Sequence, residues 1–111
     1  MDDRINKHLE DILIAIDEIE IFFETFPKKY DEFVNNVLLR RGVERNIEII
    51  GEAMNRILKD DNSISITHAR KIVDTRNYVI HGYDSLTADI LWSIVNNHLP
   101  LLKNEIKDLL R

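Results

Sequence analysis

Ile5-Asn6-Lys7-His8-Leu9-Glu10-Asp11-Ile12-Leu13-Ile14-Ala15-Ile16-Asp17-Glu18-Ile19-Glu20-Ile21-Phe22-Phe23-Glu24-Thr25-Phe26 is the stretch on which the class of fold turns. Ile5, Leu9, Ile12, Ile16, Ile19, Phe23 and Phe26 recur at alternating spacings of four and three, which is one side of a long α-helix. Acids take the opposite side. Leu13, Ile14, Ile21 and Phe22 widen the apolar stripe, so the helix is expected to touch more than one neighbour. Pro27 ends it, because the residue before a proline is pushed out of the helical region.

The same period returns downstream. Asp31 to about Asn36 reads as a short helical turn, and a long helix follows from near Val37 to Lys59. Leu39, Val43, Ile47, Ile50, Met54 and Ile57 form its inner face. Gly42 and Gly51 lie inside this helix, each costing roughly 1 kcal/mol relative to Ala, which points to a kink or a close helix–helix approach. Asp60 to Ser63 is a loop. Ser65 or Thr67 is expected to cap a third helix running through Val73 to Ile80 or His81, with Gly82 at its C′ position. Asp84, Ser85 or Thr87 then caps a fourth helix carrying Ile90, Leu91, Ile94 and Val95. Pro100 either kinks that helix or begins a fifth with Leu101, Leu102, Ile106, Leu109 and Leu110. With three Gly and two Pro in 111 residues, a strand-and-turn architecture is disfavoured. The expectation is one all-α domain over residues 1–111, an antiparallel up-and-down bundle of four to five helices.

Composition sets further bounds. Apolar residues make up 44% and charged residues 32%, ordinary for a soluble helical protein. There is no Cys, which excludes disulfides, thiolate metal sites and a Cys nucleophile, and fits a reducing cytosol. The first residues are acidic where a secretory leader is basic. The longest charge-free stretch, Ile90 to Leu102, is shorter than the roughly 18 residues of a membrane span. A cytoplasmic protein without membrane contact is expected. The net charge of −5 is unevenly spread: residues 1–31 hold nine acids against four bases, residues 32–81 seven acids against eight bases. A local cationic cleft is therefore possible in the second region, whereas tight nonspecific binding to long nucleic acid is not expected.

The chemistry-bearing string is Arg76-Asn77-Tyr78-Val79-Ile80-His81-Gly82-Tyr83, an R-x4-H-x-Y pattern near a helix end. Arg offers a planar fork of donors to phosphate, and His exchanges a proton near neutrality. On a helix Asn77 and His81 share a face, but Arg76 and His81 point roughly 140° apart. A second chain across a two-fold axis removes that difficulty by setting two Arg and two His around one groove. There His81 acts as general base toward a ribose 2′-hydroxyl or as general acid toward the leaving oxygen. Arg76 stabilises the phosphoryl charge, and Asn77 orients the imidazole or binds phosphate. No metal is needed, and no carboxylate cluster stands out to hold one. From spacing alone a structural reading leads: a dipole complement, a satisfied histidine and an interface aromatic.

The surrounding sequence adds to this. Glu44-Arg45-Asn46-Ile47-Glu48-Ile49-Ile50-Gly51-Glu52-Ala53, the Arg76–Tyr83 string, Ile90-Leu91-Trp92 and Leu99-Pro100-Leu101-Leu102 together resemble the HepT family of HEPN-domain proteins, in order, over roughly residues 37–110. Residues 1–36 match only as an amphipathic helix and a connection. The resemblance implies a homodimeric helical bundle and the toxin of a toxin–antitoxin pair. It implies a metal-independent endoribonuclease without cofactor, whose composite site at the dimer cleft is built from Arg76 and His81, with Asn77 in support. It also implies an MntA-type nucleotidyltransferase antitoxin as partner, which transfers AMP from ATP to Tyr83 and so blocks the site.

Other residues carry blander readings. Glu48, Glu52 and Arg56 fit a surface ion ladder, and Arg45 is a candidate RNA phosphate contact. His8, His68 and His98 are isolated and form no ligand spacing. Trp92 reads as core or dimer packing; Phe22, Phe23 and Phe26 as buried, or as an intersubunit patch. Two further functional readings stand beside the RNase: a noncatalytic nucleotide- or substrate-binding subunit of a nucleotidyltransferase complex, and a plain helical dimerisation module.

Overall fold

The computed structural model describes residues 2–74 and 84–110, the side chains of 84–87 excepted. Its helices are α1 (Asp3–Thr25), α2 (Tyr30–Asn35), α3 (Val37–Asp60), α4 (described over 69–74), α5 (Asp84–Ser93) and α6 (Leu99–Leu109). A π-helical stretch, Ile94–His98, joins the last two. No strand occurs among the described residues, and the expected all-α bundle is what the chain forms.

α1 begins where the Asp2 carboxylate accepts the Arg4 N–H at 2.7 Å, satisfying one orphan donor of the first turn. It stops at Phe26, whose backbone is extended ahead of Pro27. Ile5, Leu9, Ile12, Ala15, Ile16 and Ile19 are buried along one side. Each such aliphatic side chain contributes roughly 1.5–3 kcal/mol when removed from water. The widened stripe divides: Leu13, Phe22, Phe23 and Phe26 pack at the core's edge, while Ile14 and Ile21 remain 56% and 55% exposed.

α3 is the principal partner of α1. Its start is capped by Asn36, which accepts the Leu39 N–H at 3.0 Å. All six residues expected on its inner face are buried. Of the two readings offered for Gly42, close approach is the one seen. A Cβ there would stand 3.0 Å from Phe22 Cε2 on α1. One turn on, Asn46 is 5% exposed, and its amide donates to the Gly42 carbonyl at 3.0 Å.

The third helix begins later than expected, at Ala69. Thr67 is turned away from capping: its N–H and hydroxyl both donate to the Glu105 carboxylate of α6, at 3.0 and 2.9 Å. His68 makes the corner with φ of 60°, a left-handed conformation uncommon outside glycine. At the other proline, both readings hold in part. Pro100 lies in the first turn of α6, and the chain reaches it through the π stretch, where the Leu99 N–H bonds Ile94 O instead of the usual carbonyl four back. A proline cannot donate to the carbonyl four residues before it and clashes with it, so the widened turn accommodates the ring. Lys103 then fastens α6 to α1, 2.8 Å from Glu20 and 3.4 Å from Asp17.

Candidate functional site

Arg76, Asn77, His81 and Tyr83 lie outside the described residues, as do Gly82 and the expected end of the third helix. What is described is the frame around them. On the upstream side Ala69 and Val73 are buried on α4; downstream, Ala88 and Leu91 are buried on α5. Val73 and Leu91 belong to one continuous apolar core, so both approaches to the motif are anchored in the same packed interior.

α5 is further held by aromatics. Trp92 lies 5.3 Å from Phe33, tilted by 38°, and meets Tyr30 and Phe23 edge-on at 5.9 and 6.3 Å. Edge-to-face and tilted contacts suit the ring quadrupoles, each contributing about 0.5–1.5 kcal/mol beyond area burial. Trp92 is thus half-buried, packed against the core of its own chain. The Tyr30 hydroxyl donates to the Asp89 carboxylate, and that bond, followed by desolvation, raises the phenol above its ordinary value. The Lys28 ammonium stands 5.6 Å over the Phe23 ring. α2, which the sequence marks as a short helical turn, is therefore a brace for α5.

Arg45 is exposed on α3, with one guanidinium nitrogen 3.1 Å from Glu48. Exposed ion pairs are worth only about 0–1 kcal/mol, so a phosphate can take the guanidinium from Glu48.

The frame also contains a cavity of about 190 Å³ bounded by α3, α4, α5, the π stretch and α6. Ile47, Ile50 and Leu102 line it alongside His68, His98 and Ser93. The two imidazoles stand perpendicular, at 89°, with centroids 5.8 Å apart. Sequence spacing gave no sign of this pairing. It arises because the His68 corner and the end of the π stretch meet in space, and neither feature has a compositional signature. Among the described residues no three His, Cys, Asp or Glu side chains gather as a metal set, and no helix is long and apolar enough to cross a membrane.

Comparison with known proteins gives the family. A probable ribonuclease HepT of Thermococcus cleftensis is 32% identical over 103 residues, covering 92% of this chain and 92% of that one. Two candidate RNases of Methanocaldococcus jannaschii are similar as well. One is 32% identical over 105 residues, 93% of this chain and 94% of its own. The other is 30% identical over 109 residues, 96% and 88% respectively. No solved structure matches with significance. The family described as Ribonuclease HepT-like matches residues 12–109, nearly the whole described bundle, and the chain belongs to that family.

Proposed function

We propose that this protein is a metal-independent endoribonuclease, the toxin of a toxin–antitoxin pair, acting as a homodimer. The observation that carries the reading is the family match over residues 12–109, in a chain that retains the full Arg76–Tyr83 string. Two chains facing one another at the motif put two imidazoles and two guanidiniums around a single phosphodiester. One His81 takes the proton of the ribose 2′-hydroxyl, whose oxygen attacks phosphorus. The other His81 gives a proton to the departing 5′-oxygen, leaving a 2′,3′-cyclic phosphate and a free 5′-hydroxyl. Arg76 from each chain carries the charge that builds on the phosphoryl oxygens, Asn77 orients the ring or binds phosphate, and Arg45 extends the path of the RNA backbone.

Tyr83, two residues past His81, is the proposed point of control. A nucleotidyltransferase partner of MntA type transfers AMP from ATP to its hydroxyl, placing a phosphate where the RNA phosphate must sit. Arg76 then binds the adduct in place of substrate.

The test is RNA cleavage by the purified protein in EDTA. The wild type cleaves and leaves cyclic phosphate ends; Arg76→Ala and His81→Ala do not, while keeping the wild-type circular dichroism spectrum. Full cleavage by either variant removes the assigned roles. Nucleotide binding by a wild type that never turns over RNA supports the binding-subunit reading instead. Intact mass after co-production with the partner tests Tyr83: an increment of AMP units is expected, absent from Tyr83→Phe.

A further inference from the structure

The cavity at His68 and His98 is unused by RNA cleavage as proposed. Its floor is aliphatic, formed by Ile47, Ile50 and Leu102. Its polar side chains, His68, His98, Ser93 and Lys71, all carry hydrogen-bond donors, and none of the described lining residues is acidic. Glu105 of α6 is committed to the N–H and hydroxyl of Thr67. No Phe, Tyr or Trp appears among the described lining residues.

Two backbone features coincide with this spot. His68 holds a φ of 60°, a strained choice for a non-glycine residue that persists only where its surroundings enforce it. His98 closes the π stretch, a geometry frequent at functional sites. Both place an imidazole at the same opening. An apolar cavity of about 150 Å³ accepts a benzene ring, so this open pocket of about 190 Å³ has room for a small ligand.

We propose that this cavity is a binding site for a small monocarboxylate. A single ring or short aliphatic body sits on Ile47, Ile50 and Leu102, and the carboxylate accepts hydrogen bonds from the His68 and His98 rings and the Ser93 hydroxyl. The site is independent of the RNase reading, and its test uses no RNA, so either can fail alone.

Benzoate is the probe and benzyl alcohol its uncharged counterpart, each titrated into the purified protein while the imidazole resonances are followed by NMR. Benzoate is expected to shift both His68 and His98 saturably at millimolar concentration or below, and benzyl alcohol to bind at least roughly tenfold more weakly. His68→Gln and His98→Gln each weaken benzoate roughly tenfold. Ile72→Phe, which fills the cavity from its half-buried wall, removes the response. Should that variant fail to fold, the two Gln variants decide alone. Absent shifts, equal binding of the alcohol, or benzoate affinity unchanged in both Gln variants overturns the proposal.

Discussion

Phe33 has no exposed surface, and its ring sits 6.4 Å from Phe23 and 5.3 Å from Trp92. Truncating it leaves a cavity that rigid neighbours on three helices cannot close. Phe33→Ala is expected to lower stability by about 3–5 kcal/mol in urea unfolding, and Phe33→Leu by a fraction of that. Gly42 poses a finer question. Ala there gains roughly 1 kcal/mol of helix propensity, but its Cβ meets Phe22 Cε2 at 3.0 Å. The two effects nearly cancel in Gly42→Ala. Shortening the ring removes the conflict, so Gly42→Ala in a Phe22→Leu background stabilises by about 1 kcal/mol more than in the wild type. A double-mutant cycle reads the coupling directly, and additive values would mean that the ring yields freely.

Among elements, α6 depends on α1 through Lys103. The hydrogen bond to Glu20 chiefly holds its ammonium above the ordinary 10.5, with desolvation opposing and Asp17 assisting. A raised basic group stabilises the fold fully below its unfolded value, and that contribution is lost as pH rises through the folded value. Lys103→Met is therefore expected to cost about 0.5–1 kcal/mol at pH 7 in low salt. The difference from wild type shrinks above pH 10.5 and in concentrated salt, as thermal melts at each condition will show. Elements of this kind were unequally legible in the sequence. α1 and α3 announce themselves because their apolar periods run unbroken for several turns, and Pro27 and Asn36 mark ends by purely local means. Thr67 misled: its preference for capping was overridden by Glu105, a partner 38 residues away. The π stretch and the Tyr30–Asp89 brace were invisible for the same reason, being settled by tertiary packing. Of the site, Arg45 is described, whereas Arg76, Asn77, His81 and Tyr83 lie outside what the fold describes. Their roles rest on the motif.

For the whole molecule, the proposed chemistry needs two chains. Light scattering is expected to give twice the chain mass for the wild type and equally for Arg76→Ala and His81→Ala, separating assembly from catalysis. With one imidazole acting as base and its twin as acid, the rate against pH should form a bell centred near the ordinary histidine value of about 6.5. A rate that simply climbs through pH 9 would speak against paired imidazoles. The dominance of the α1–α3 contact has a temporal meaning too. A chain leaves the ribosome from its N-terminus, and this helical hairpin is complete before residue 61 emerges. The scaffold can therefore form while Arg76 and His81 are still inside the exit tunnel, and the stretch that carries the motif is added to a platform already folded.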